Sequence, residues 1–140
     1  MKVISTKVCW EDDCCMDTLE YLSTTPEEHY GTEGANWAHV SEEDRAKVIA
    51  EHGSVWNACV EYARQDAVRL AAWEAGEWCL TGCFAIAQVQ SPTGTRQKIR
   101  TSGLWGIESD IDSDYRHEIE TEQLAELYLE LKSFGIIEEN

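Results

Sequence analysis

The sequence predicts an α+β fold: an antiparallel β-hairpin, widened to a small sheet by an N-terminal strand and packed against a long central helix and a C-terminal acidic helix. Three observations carry this reading. From Ser54 to Ala75 apolar side chains recur near the 3.6-residue period. From Trp78 to Gln90 the chain becomes continuously apolar and β-branched, then meets Ser91-Pro92-Thr93-Gly94, a turn signal. Beyond residue 110 a second helical period appears, closed by Gly135.

The chain has 140 residues, a common size for one domain, so residues 1–140 are expected to form a single domain. A domain of this length buries roughly two-thirds of its unfolded surface and folds without disulfides or metals. Hydrophobic residues make up 43% and charged residues 27%, a globular rather than a disordered composition.

Element by element, Val3 to Trp10 fits a short strand, and Asp12 to Leu22 a short helix through Met16, Leu19 and Leu22. Thr25-Pro26-Glu27-Glu28 opens a brief helix: Thr25 caps, Pro26 occupies the first turn and Glu28 stands at the capping-box position. Ser41 caps a segment whose first turn holds Glu42, Glu43 and Asp44, and Gly53 ends it. Ser54 then opens the long helix, with Gly76 as its stop. Its apolar face, from Val55 and Cys59 to Leu70 and Trp73, is wide, which predicts a central buried helix. Arg96 to Ile107 is the return strand of the hairpin. Alternation puts Arg96, Lys98 and Arg100 on one of its faces and Gln97, Ile99 and Thr101 on the other. Three same-face cations pair internally with acids or blunt an exposed sheet edge, or else contact phosphate. The first is the expectation, because the rest of the chain repels a polyanion.

That repulsion is large. Eleven Lys and Arg stand against 27 Asp and Glu, a formal net charge of −16. Such a field disfavours nucleic acid and anionic membranes and favours basic surfaces, although a merely solubilising coat has the same composition. Six cysteines, Cys9, Cys14, Cys15, Cys59, Cys79 and Cys83, raise disulfide and zinc readings. No export signal opens the chain and no apolar run reaches the 18 residues of a membrane span, so a cytoplasmic protein with reduced thiols is expected. Cys79 and Cys83 have three residues between them and no second pair at matching spacing, so no metal site is expected.

The C-terminal helix carries the sharpest pattern. Leu124, Leu127, Tyr128 and Leu131 form its apolar stripe. Glu118, Glu122, Glu126 and Glu130 recur every four residues on the other side, about 6 Å of rise per step, forming an acidic ridge. Glu108, Asp110, Asp112 and Asp114 lead into it. The run from Asp110 begins like a calcium loop but places Tyr115 where glycine is required and Thr121 where the bidentate glutamate belongs. A helix cap by Ser113 or Asp114 accounts for the same residues. His29, His39, His52 and His117 lie in no ligand or triad motif, and no phosphate-binding glycine loop is present. No catalytic residue and no cofactor is therefore expected.

Ser102-Gly103-Leu104-Trp105-Gly106-Ile107-Glu108-Ser109-Asp110, followed after an acidic spacer by Glu122-Gln123-Leu124-Ala125-Glu126-Leu127, resembles a group of small acidic proteins of bacteriophages and mobile elements. The similarity begins near Trp78 and covers somewhat under half the chain. It implies a phage or prophage origin and assigns no chemistry. The function expected from ridge and resemblance together is non-catalytic inhibition. A phage anti-defence protein, for example anti-CRISPR or anti-restriction, would mimic DNA and block a basic nucleic-acid-binding host surface without touching nucleic acid or membrane. Two alternatives stand beside it: an adaptor or oligomeric accessory protein with an apolar interface, and a metal-dependent enzyme or sensor using Cys and His.

Overall fold

The structure is a computed structural model and describes residues 1–13, 19 and 21–137. Its described part clusters into two compact units. One joins the N-terminal segment, Met1–Met16, to Trp78–Asn140; the other is Asp17–Glu77. The helix expected from Asp12 to Leu22 falls mostly outside the described residues, as do Cys14 and Cys15, and Asp12 itself closes a strand.

The first unit is a sheet covered by one helix. Strand β1 (Lys2–Asp12) pairs antiparallel with β2 (Leu80–Gln90), and β2 pairs along its other edge with β3 (Arg96–Arg100) and β4 (Leu104–Glu108). The α+β class and the hairpin are as the sequence predicts. The return strand differs in being broken in two. Thr101 turns its hydroxyl into the core, and Gly103 follows at φ +87, where an added Cβ would lie 2.8 Å from the Cys83 carbonyl oxygen. The chain therefore leaves the ladder and rejoins β2 with a shifted register.

Central strand β2 is fully buried along Cys83, Ala85, Ala87 and Val89, but Ile86, Gln88 and Gln90 of its other face are only partly buried, so the strand is not covered along its whole length on both faces as its apolar run predicts. Helix α4 (Ser113–Ser133) lies against one of those faces. Ala85, Ala87 and Val89 meet Leu127 and Leu131 there, with Val3, Ile99 and Leu124 around them. Cys83, Ile107 and Ile119 continue the core, flanked by Val8 and Trp10. The buried row of α4 is Ile119, Gln123, Leu127 and Leu131, which corrects the stripe read from the sequence: Tyr128 is 49% exposed and Gln123 replaces it inside. Gln123 can be buried because its Oε1 accepts from the Thr101 hydroxyl at 2.7 Å, while that hydroxyl accepts from the Ala85 amide at 3.0 Å.

The second unit is helical. Thr25 caps α1 (Pro26–Tyr30), accepting from the Glu28 amide and donating to its carboxylate. Ser41 caps α2 (Glu42–His52) and Ser54 caps α3 (Val55–Glu74), each accepting from the amide three residues on. Both α1 and α2 pack on α3, through the edge-on pairs Tyr30–Trp56 and His52–Tyr62. Of the two helices expected against the hairpin, α4 covers the sheet, and α3 has α1 and α2 as partners within its own unit. Only Ala58, Cys59 and Ala63 of α3 are buried, and Val68 is 60% exposed, so its apolar face is not the central buried surface its width predicts. Short α1 and α2 are too small to cover twenty residues of helix.

Two predictions follow from the covered sheet face. Thr101→Val keeps the volume but strips the Ala85 amide and the Gln123 carbonyl of their partners, and should cost about 1–3 kcal/mol in chemical unfolding. Burial pushes the Cys83 thiol up from 9.0 to about 11, with the Glu120 carboxylate adding to the rise and the Arg116 guanidinium opposing it. Cys83 should resist alkylation in the folded protein, and stability should fall across that interval, since the unfolded chain gives up the thiol proton first.

Candidate functional site

The α4 ridge begins at a firm helix start. Asp112 is the cap, its Oδ1 accepting from the Tyr115 amide at 2.8 Å, one or two residues earlier than the Ser113 or Asp114 expected. With that carboxylate bound to backbone, the calcium-like run from Asp110 is accounted for by capping, and Asp114 sits in the first turn, where the helix dipole favours an acid.

From there Glu118, Glu122 and Glu126 are exposed and Glu130 is half-buried. Each directly precedes a residue of the buried row, so the ridge stands about 100° around the helix from the sheet contact. It is a shoulder of α4 rather than the far side that the sequence suggests. Among the described residues no cation lies within ion-pair range of these four glutamates; the one pair on the helix joins Arg116 to Glu120 at 3.9 Å. Arg116 also stacks over Trp10 at 4.0 Å. Leu129 stands three residues past Glu126 and seven past Glu122, on the same side, and is 67% exposed.

The acids expected to prolong the ridge are not all in line with it. Glu108 pairs in register with Leu80 at the end of β4, and alternation turns it away from Ile107, onto the sheet face opposite α4. Asp110 lies in the exposed turn before the helix. The site therefore narrows to Glu118, Glu122, Glu126 and Glu130, with Asp114 at its head. The cations of β3 do not neutralise it, because they project from the other face of the sheet.

Reasoning from sequence missed two arrangements. In the second unit His29 Nε2 lies 2.8 Å from the Ser23 carbonyl and 3.1 Å from Asp66 Oδ2, which also accepts from the Ser23 amide at 2.9 Å. That network, made through Nε2 alone, ties the chain before α1 to α3, so it reads as structural. In the first unit Trp105 lies flat on Gly82, where an added Cβ would fall 1.9 Å from its ring. Gly82, inside the otherwise apolar run of β2, is the available signal for it, since a glycine within a strand marks a close approach. Among the described residues Cys9, Cys59, Cys79 and Cys83 are free thiols, and no three His, Cys, Asp or Glu side chains converge as metal ligands would. No described helix is long and apolar enough to cross a membrane.

Comparison of the chain with protein-family models, curated proteins and solved structures finds no match.

The cap is open to test. Asp112→Ala should lower stability by about 0.5–2 kcal/mol, whereas Asp112→Asn, which keeps the accepting oxygen, should lose only a small part of that.

Proposed function

We propose that the protein acts by binding, without catalysis, and that the α4 ridge docks on a basic surface of a nucleic-acid-handling protein and keeps nucleic acid from it. The observation that supports this reading is the run Glu118, Glu122, Glu126 and Glu130, which meets no cation among the described residues. Like charges at four-residue spacing cost the helix a few tenths of a kcal/mol per pair. A solubilising coat would avoid that cost by interleaving lysine, and α4 carries just Arg116 and Lys132. Exposed Leu129 among the acids supplies the apolar contact that a purely electrostatic surface lacks. Origin in a phage, and a role against a host defence, follow from the resemblance of the Trp105 segment and belong to the same proposal.

A second reading is supported by a separate observation. Tyr115, Tyr128 and Leu129 of α4 and Phe134 at its C-cap are all at least 47% exposed, spread around the helix axis as separate apolar anchors for an adaptor or oligomer contact. The two readings respond oppositely to salt.

Immobilised protein should retain basic nucleic-acid-binding proteins from a bacterial lysate at low salt and release them at high salt. Reversing all four ridge glutamates to lysine should weaken capture at least about tenfold while leaving far-UV circular dichroism intact. Undiminished capture by that variant sinks the ridge reading. Capture that survives high salt and is lost in Leu129→Ala with Phe134→Ala supports the apolar one.

A further inference from the structure

The sheet face turned away from α4 gathers the cations that the ridge does not meet. Cys83, Ala85, Ala87 and Val89 point to α4, so Gly82, Phe84, Ile86, Gln88 and Gln90 point the other way. Cross-strand partners share a face. Lys7 and Arg100 flank Ile86; Ser5 and Lys98 flank Gln88; Lys2 and Arg96 flank Gln90. Five of the eleven Lys and Arg side chains of a chain of net charge −16 thus occupy three consecutive rows. Strand rise and spacing make that patch about 14 by 10 Å. Among the described residues no carboxylate pairs with Lys2, Lys7, Arg96 or Lys98, which removes the internal pairing expected for the β3 cations. Between the rows lies an open cavity of about 270 Å³ lined by Ser5, Lys7, Ile86, Gln88 and Lys98.

An aromatic platform adjoins the cations. The Arg100 guanidinium lies 3.9 Å over the Phe84 ring, and Trp105 stacks beside Phe84 at 6.3 Å and 23°. The inner face of the indole rests on Gly82 and its Nε1 donates to the Ser102 carbonyl at 2.8 Å. Trp105 is 40% exposed, and Gly82 covers the ring face that lies on the sheet. Gly103 at φ +87 and Gly106 at φ +75 bracket Leu104 and Trp105 at the centre of the segment that resembles phage proteins.

We infer that this sheet face binds single-stranded nucleic acid, with backbone phosphates on Lys7, Arg96 and Lys98 and an unpaired base on Trp105. Cations recurring about every 6.8 Å along β3 beside an open aromatic face are what a flexible polyanion with exposed bases requires. A duplex offers phosphates but hides its base faces. Glu11, opposite Gly82, and Glu108, opposite Leu80, close the far end of the platform, so phosphates keep to the rows of Ile86, Gln88 and Gln90 and only a base reaches Trp105. The chain's overall negative charge slows approach but does not govern contact, because at physiological salt charges are screened beyond about 8 Å. This site does not depend on the ridge and departs from the expectation that nucleic acid is excluded.

Fluorescence anisotropy of a labelled oligothymidine tests it on the full chain. Binding is expected at low salt, with a log–log salt slope of about −2 to −3.5 for three to five phosphates. Lys7→Glu with Lys98→Glu, both exposed, should reduce affinity at least tenfold and flatten that slope, while the ridge reversal, compared at about 0.15 M salt where distant charges are screened, does not weaken binding. Trp105→Leu should lower affinity by about five- to 150-fold without altering the slope. The inference is overturned by absence of binding at the lowest salt, by equal binding of the Lys7/Lys98 variant, or by preference for a duplex of the same length.

Discussion

The contact of Ala85 and Ala87 with Leu127 and Leu131 is the constraint on which the first unit depends. Two methyl-sized residues in the middle of the central strand let the helix settle close to the sheet, so that Leu127 and Leu131 are fully buried against it. Once that face is taken, every other position on the sheet is assigned. Odd residues of β2 are core, and even residues carry the outward face with Gly82, Phe84 and the flanking cations. The same contact orients α4. With Ile119, Gln123, Leu127 and Leu131 inward, the glutamates one position earlier must stand on the helix shoulder.

The first unit is therefore electrically two-sided. The four ridge glutamates stand on one helix edge and five cations on one sheet face, with an apolar layer between them, while Glu11 and Glu108 border the cations at the far end of that face. A chain of net charge −16 would gain local Coulomb energy by mixing them. That the ridge and the cationic rows stay apart is what supports proposing a separate binding role for each. The one helix cation near the core, Arg116, is occupied on both sides by Trp10 and Glu120 and contributes to neither surface.

Much of the architecture was legible in the residues. Thr25, Ser41 and Ser54 cap their helices as written, because an Oγ that accepts from an amide three residues ahead is a local event. The hairpin and the alternation of Arg96, Lys98 and Arg100 were legible for a similar reason: period two and a turn signal suffice. The candidate surfaces were legible only in part. Glu118 to Glu130 could be placed on one row, yet Glu108 could not be excluded from it without knowing that β4 ends there in register with Leu80. The long helix misled by its apolar width, since composition cannot say how much of a face its neighbours are large enough to cover.

Local chemistry alone determined the class of fold, the caps of α1, α2 and α3, the hairpin and the shared side of Arg96, Lys98 and Arg100, because capping and periodicity act over three or four neighbours. The tertiary structure alone decided that Gln123 rather than Tyr128 is buried, that the return strand breaks at Gly103, and that Lys7 and Lys98 face a common cavity. Each of those depends on a partner some twenty residues or more away in sequence, Thr101, Cys83 and the opposite edge of β2 respectively. No local periodicity records such a partner.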